Sequence, residues 1–218
     1  MKKDELKLVA IAQFGILVAG KLDSIHPELI DYLREEGAIK DNQLFRVKAA
    51  ISLVKIGVSV ERTAQLLDWR GFESLCEEIL KSHGFFTYKH FRFYFKGKRC
   101  EIDLLAKLND IMLSIDCKRW SHLRRSSLLE AALLQKERTE AFSQALPSLE
   151  KFVLTPGRTS LVPMLICWIP GGAGIYNGVP IVPLHSFNSY LIEFDPKDNN
   201  ISRIELPWNI EFRMSSLR

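Results

Sequence analysis

The sequence predicts an α/β protein with a helical front part. Three observations carry this. Up to about residue 84, apolar residues recur at helical spacing and are punctuated by Gly37, Gly57 and Gly84. The period then switches to strict alternation in Phe91-Arg92-Phe93-Tyr94-Phe95-Lys96. Finally, a long helical segment over 127–145 separates two sets of apolar strands, the order expected of helices packed on a sheet. The 218 residues, 47% hydrophobic and 26% charged, exclude a wholly disordered or collagen-like chain and allow one or two domains.

Residues 4–19 read as a first helix. Its apolar run, Leu8 to Gly20, contains Gln13 and is far shorter than the roughly 20 residues needed to span a bilayer. Asp4 and Glu5 among the leading lysines make a poor secretory signal, so a cytoplasmic protein without a membrane partner is expected. Pro27 opens a second helix that runs to about Glu36 and stops at Gly37. Asn42 caps a third helix to Lys55, with Leu44, Val47, Ala50, Ile51 and Val54 on its apolar side. After Gly57, Ser59 caps a fourth helix through Leu67. This helix–turn–helix faintly resembles a DNA-binding unit, but its second helix offers only Arg62 and Gln65 to bases, so a bundle or a dimerisation surface is the expectation.

Residues 71–84 form another helix, with Leu75, Ile79 and Leu80 on its apolar face. Strands follow at about 91–96, 99–108 and 111–118, turning at Gly97-Lys98 and Asn109-Asp110. Beyond the 127–145 helix, Lys151–Leu154 and Leu161–Ile169 read as buried strands, Gly171–Gly178 as a surface loop, Ile181–Val182 as a short strand, and Ser186–Phe194 as a short helix before a tail of undefined order. The domain boundary falls near Trp69–Gly71, giving a helical domain over 1–69 and a mixed domain over 70–218.

Charge is concentrated in one place. Residues 81–125 hold 11 Lys and Arg against 4 Asp and Glu, although the whole chain carries only +4. A basic stripe interleaved with Phe91, Phe93, Tyr94 and Trp120 suits a phosphate backbone; lysines on a sheet edge are the competing reading. Cys76, Cys100, Cys117 and Cys167 share no metal-ligand spacing, which excludes a zinc ribbon and makes free, reduced thiols the expectation.

The two turns set a register. Asn109-Asp110 places Ile102 opposite Cys117, Leu104 opposite Ile115 and Asp103 opposite Asp116. Gly97-Lys98 places Phe91 opposite Leu104, Phe93 opposite Ile102 and Phe95 opposite Cys100. One face is then wholly apolar, and the other carries Arg92, Glu101, Asp103, Asp116 and Lys118. Two opposed carboxylates destabilise a sheet unless a cation sits between them, so Asp103 and Asp116 read as oxygen ligands for Mg²⁺ or Mn²⁺. Lys118 projects beside them, where an ammonium can orient water and offset charge on a phosphorane. The alternative is an ion-pair ladder, with Glu101 facing Lys118 and Arg92 facing Asp103. His83, His90 and His122 read as surface residues near the basic stretch.

Gly71-Phe72-Glu73, Gly84-Phe85, Glu101-Ile102-Asp103 and Asp116-Cys117-Lys118 together resemble the PD-(D/E)XK nuclease superfamily, in particular Mrr-type restriction-endonuclease-like proteins and archaeal Holliday junction resolvases, over roughly residues 70–194. The resemblance implies a restriction-endonuclease-like αβββαβ core behind an all-helical N-terminal domain. It implies a metal held by Asp103, Asp116, Glu73 and the backbone carbonyl of Cys117, with Lys118 catalytic. Glu77 is the rival of Glu73. Ile102 stands where the family's proline would be, and Asp116 replaces the commoner Glu. Gln135 matches the helical glutamine of some branches, with Thr139 in place of the accompanying tyrosine. The function implied is a Mg²⁺-dependent endonuclease acting on DNA, gripping the backbone through Lys96, Lys98, Arg99, Arg119, Arg124 and Arg125, working as a homodimer, and using no small-molecule cofactor. The alternative is a non-catalytic DNA-binding protein with a relic nuclease fold.

Overall fold

The structure, a computed structural model, describes residues 2–118, 124–168 and 173–213. The chain divides into two compact units, Met1–Leu75 and Cys76–Arg218.

The first unit is mostly helical. The expected first helix breaks in two, α1 (Lys3–Ala12) and α2 (Phe14–Val18), at Gln13, whose side-chain carbonyl accepts the His26 N–H at 2.8 Å. Helix α3 (Pro27–Glu35) begins at its proline and closes at Gly37 in the left-handed region. A short ribbon of β1 (Ile39–Lys40) and β2 (Gln43–Leu44) follows, which corrects the all-helical expectation. Its turn is Asp41-Asn42, both at positive φ, so Asn42 serves a tight hairpin instead of capping a helix, and α4 (Arg46–Lys55) starts later than expected. Ser59 caps as foreseen, its Oγ accepting the Arg62 N–H at 3.4 Å. The helix it starts, α5 (Val60–Thr63), is only one turn and continues as a 3₁₀ turn over Ala64–Leu66. Such a stub cannot lie along a major groove, which removes the basis for a helix-turn-helix reader. Leu17, Leu29, Leu33, Ala49, Ala50 and Leu53 are fully buried, and Arg46 ties the unit together by donating to the Leu66 and Val18 carbonyls at 3.1 and 3.2 Å.

Helix α6 (Trp69–Ser82) starts one residue after Asp68, whose carboxylate accepts the Gly71 N–H at 2.8 Å and satisfies an otherwise orphaned first-turn donor. The division between the units passes within this helix.

The second unit is a mixed α/β layer structure. Strands β3 (Phe86–Phe95), β4 (Lys98–Leu108) and β5 (Ile111–Lys118) form an antiparallel meander. Helix α7 (Arg125–Ala145) then crosses over to β6 (Phe152–Cys167), which runs parallel to β5. Strands β7 (Gly174–Tyr176) and β8 (Val179–Pro183) form a hairpin; β8 is parallel to β6 and leads into α8 (Leu184–Glu193). Strand β9 (Ile204–Phe212) returns antiparallel along β6. The sheet order is β3-β4-β5-β6-β8-β7, with β9 on the remaining stretch of β6.

Several expectations are corrected here. The two separate strands expected over 151–169 are one strand, bulged between Pro156 and Thr159; at the bulge a Cβ on Gly157 would come within 3.0 Å of Asn209. The expected glycine loop is partly a hairpin turning at Asn177-Gly178, both at positive φ. The tail supplies β9. In the first hairpin, Phe95 pairs with Lys98, Phe93 with Cys100 and Phe91 with Ile102, because Lys96-Gly97, both at positive φ, form the turn. The register is therefore two residues from the expected one. The expected single apolar face is not kept: Phe91, Phe93 and Ile102 cluster with Leu105 and Met112 around Phe142, without Leu104, Ile115 and Cys117, because the alternation breaks at His90, which sits at positive φ and is stepped over in the β3–β4 register.

The core between α7 and the sheet centres on aromatic rings. Phe142 lies 5.6 Å from both Phe91 and Phe93 and 5.7 Å from Phe152, mostly edge to face, the arrangement that ring quadrupoles favour. Leu105, Met112, Leu161, Leu206 and Ile210 complete this cluster.

Glu77, the rival acid on α6, belongs to a separate structural cluster. Thr87 Oγ donates to its Oε1 at 3.0 Å, Lys81 Nζ lies 3.1 Å from the same oxygen, and Lys89 Nζ lies 2.8 Å from Oε2. Burial pushes its carboxyl up, but Lys89, Lys81 and Thr87 outweigh this and hold it below the usual range. A depressed carboxylate stabilises the fold above its unfolded-state pKa, and that contribution is lost as pH falls through the folded value. Glu77→Gln is therefore expected to be less stable than wild type at about pH 7, with the gap closing by about pH 3 in urea titrations. An equal gap at both would refute this role.

Candidate active site

The site forms where the antiparallel pairing of β4 and β5 ends. The ladder runs from Leu108↔Ile111 to Leu104↔Ile115, as the Asn109-Asp110 turn requires. No Cα pairing is made at Asp103 on either neighbouring strand: the β3–β4 register runs Lys89↔Leu104 and then Phe91↔Ile102, stepping over His90, which sits at positive φ. In place of a backbone pair, the Asp103 carboxylate itself accepts the Cys117 N–H through Oδ2 at 2.8 Å. The sequence reason is local. An Asp at a lapse in the ladder can take up a donor that the backbone leaves unused.

Asp116 is 4% exposed and both its oxygens are engaged. Lys118 Nζ lies 2.8 Å from Oδ2 and Arg138 Nη1 2.6 Å from Oδ1. Burial first, and the charge of Asp116 second, push the Asp103 carboxyl up; the Cys117 N–H, Lys118 and Arg138 pull it back in part. The strand segment 103/116–118 thus gathers two carboxylates and two cations. Beside it is a cavity of about 280 Å³ lined by Asp116, Lys118, Ser127, Glu130, Leu134 and Arg138. The neighbouring Cys76 thiol and then burial push the Cys117 thiol well up, so it remains protonated and this position offers chemistry only through its backbone.

A raised carboxyl is a stability cost once ionised, because its favourable contribution is lost as pH rises through the folded pKa. Asp103→Asn keeps an acceptor for the Cys117 N–H and removes the charge. It is expected to raise the melting temperature at about pH 7, with the advantage shrinking toward about pH 4. A lower melting temperature at neutral pH would contradict this.

The sequence-predicted residues fare differently. Asp103, Asp116 and Lys118 are brought together. Glu73 is buried in α6, on the first unit's side of the division. Lys96, Lys98 and Arg99 are exposed at the tip of the β3–β4 hairpin, beside Tyr94, which is 72% exposed. Arg124 and Arg125 are exposed at the start of α7; Arg119, like His122 and Trp120, lies outside the described residues. The expected ladder of Glu101 with Lys118 and Arg92 with Asp103 is not made. Instead Arg92 Nε pairs with Glu101 Oε2 at 2.7 Å, as the corrected register dictates. His83 meets Asn188 at 2.9 Å.

Gln135 is buried and anchors α7 to β5, its Nε2 donating to the Ser114 carbonyl at 2.7 Å and to Ser114 Oγ at 3.2 Å. Its Oε1 accepts from Arg138 Nη1 at 2.8 Å. Arg138 is the site residue that the sequence reading missed. The available signal was its spacing, three residues after Gln135 and hence on the same helix face.

Among the described residues, no group of three or more His, Cys, Asp or Glu side chains is placed to hold a metal ion. None of the described helices is long and apolar enough to cross a membrane. A larger cavity, about 700 Å³, is walled by Phe86, Lys107, Asp110 and Phe212 and includes none of the predicted site residues.

No family model matches the sequence. The crystal structure of a protein of unknown function, AF1548, aligns at 14% identity with a TM-score of 0.35, covering 54% of this chain and 59% of that one. An uncharacterized protein of Archaeoglobus fulgidus is 34% identical over 127 residues, which is 56% of this chain and 88% of the relative. With that identity over nearly the whole of the relative, the chain belongs to the same family as the uncharacterized Archaeoglobus fulgidus protein.

Proposed function

We propose that the chain is a metal-dependent nuclease hydrolysing phosphodiester bonds, an endonuclease acting on DNA, built on a restriction-endonuclease-like core. The observation that carries this reading is the convergence of Asp103, Asp116 and Lys118 at the lapse in the β4–β5 ladder. The element order from α6 through β3, β4, β5 and α7 to β6 fits the αβββαβ arrangement that the sequence motifs imply.

The donor set fits Mg²⁺ or Mn²⁺. It consists of hard oxygens, and burial together with the neighbouring Asp116 charge raises Asp103, a cost that a divalent cation between the two carboxylates would relieve. Asp103, Asp116 and the Cys117 carbonyl would hold the ion, with water completing the shell. When bound, the ion supplies charge stabilisation to the attacked phosphate. Lys118, in the cavity beside Asp116, orients the attacking water and offsets charge on the phosphate oxygens. Lys96, Lys98, Arg99, Arg124 and Arg125 hold the flanking backbone, Tyr94 offers a stacking face, and a homodimer would supply a second site for the opposite strand.

A second reading, a DNA-binding protein with a relic site, is favoured by the two side-chain cations that already neutralise Asp116. The test is a panel of plasmid, branched, single-stranded DNA and RNA incubated with Mg²⁺, Mn²⁺ or a chelator. Cleavage that needs the metal supports the nuclease. Binding without cleavage in any metal selects the relic, and neither binding nor cleavage rejects both.

A further inference from the structure

We infer that Arg138 is an exchangeable counter-ion for Asp116, competing with a divalent cation for Oδ1 and thereby coupling cation binding to phosphate binding. This rests on the metal-dependent reading above and concerns the regulation of the same site.

Three observations point this way. Arg138 holds Asp116 by one nitrogen only. Nη1 makes both the 2.6 Å contact to Asp116 Oδ1 and the 2.8 Å hydrogen bond to Gln135 Oε1, while Nε and Nη2 make no hydrogen bond among the described residues. A permanent structural brace would be expected to use the two-pronged fork that arginine and carboxylate can form. Next, Arg138 lines the 280 Å³ cavity together with Lys118, and its side chain is 26% exposed. A phosphate in that cavity would therefore lie beside the Arg138 side chain. Finally, Gln135 is itself fixed to Ser114, so the guanidinium keeps an anchor when its bond to Asp116 is given up.

The physical consequence is competition and linkage. A cation reaching Asp116 must displace a charge-assisted hydrogen bond, and a phosphate that accepts the released guanidinium lowers that cost. Each ligand then favours the other by the same factor. Arg138 acts through Asp116 in cation binding and is in that respect a positioning residue.

The test is Mn²⁺ affinity of the full chain, measured by electron paramagnetic resonance with and without a non-cleavable phosphorothioate oligonucleotide. Without oligonucleotide, Arg138→Gln is expected to bind Mn²⁺ about tenfold more tightly than wild type, and the oligonucleotide is expected to tighten Mn²⁺ binding in wild type but not in the variant. A melting curve establishes that the variant is folded. Independently of any substitution, the Arg138 side-chain N–H resonance of wild type should shift on Mg²⁺ titration with the same midpoint as binding. Equal or weaker Mn²⁺ binding by the variant, or an Arg138 resonance indifferent to Mg²⁺, overturns the inference while leaving the nuclease reading standing. Absence of Mn²⁺ binding in both proteins, with and without oligonucleotide, overturns both.

Discussion

Lys118→Ala is expected to lower the rate of metal-dependent DNA cleavage by about two to four orders of magnitude, the usual loss when a positioned proton-handling or charge-bearing group is removed from a reaction centre. Binding of uncleaved DNA should change far less. Lys118 Nζ lies 2.8 Å from Asp116 Oδ2 and opens onto the 280 Å³ cavity, whereas the candidate backbone-gripping residues Lys96, Lys98 and Arg99 sit on the exposed β3–β4 hairpin. Removing one amine at the site leaves those exposed hairpin residues in place. Single-turnover cleavage and a filter-binding assay on the same DNA separate the two quantities. A parallel fall in rate and affinity would assign Lys118 to general phosphate binding. Cleavage at the wild-type rate would remove it from the mechanism.

The second large effect concerns the fold. Phe142 is fully buried and touches Phe91, Phe93 and Phe152, so it joins α7 to the β3–β4 pair and to β6. Phe142→Ala is expected to cost about 3–5 kcal/mol, the range for truncating a buried aromatic ring and leaving a cavity. Because typical domains hold only about 5–15 kcal/mol in total, this would move the urea midpoint substantially with little change in slope. A loss below about 1 kcal/mol would mean that the aromatic cluster repacks freely.

How much of this could be read from the sequence depended on how local the determining physics was. The β4–β5 register was legible because a two-residue Asn-Asp turn and the apolar alternation agree on it. The β3–β4 register was misplaced by two residues because Lys96 adopts a left-handed conformation beside Gly97. From sequence, Gly97 could occupy either turn position, and alternation is blind to a shift of two. Asn42 was ambiguous for a similar reason, since the residue types that cap helices also tolerate the positive φ of tight turns. Strand β9 was illegible because its partner edge on β6 lies about 50 residues away in the chain, and only long-range pairing organises it. At the site, the register put Asp103, Asp116 and Lys118 on neighbouring stretches, but the expected Asp103–Asp116 and Ile102–Cys117 pairs are not made, because the ladder lapses after Leu104↔Ile115. Arg138 was not legible, because its role depends on where α7 crosses the sheet, which the Gln135–Ser114 contacts fix.

The central question is whether Asp103 and Asp116 share a cation. The most direct measurement is an anomalous difference map from crystals grown with Mn²⁺ and a non-cleavable oligonucleotide. A peak within coordination distance of both carboxylates, with the scissile phosphate beside Lys118, is the expected result. Bound oligonucleotide with no peak there, and Asp116 still held by Lys118 and Arg138, would contradict it.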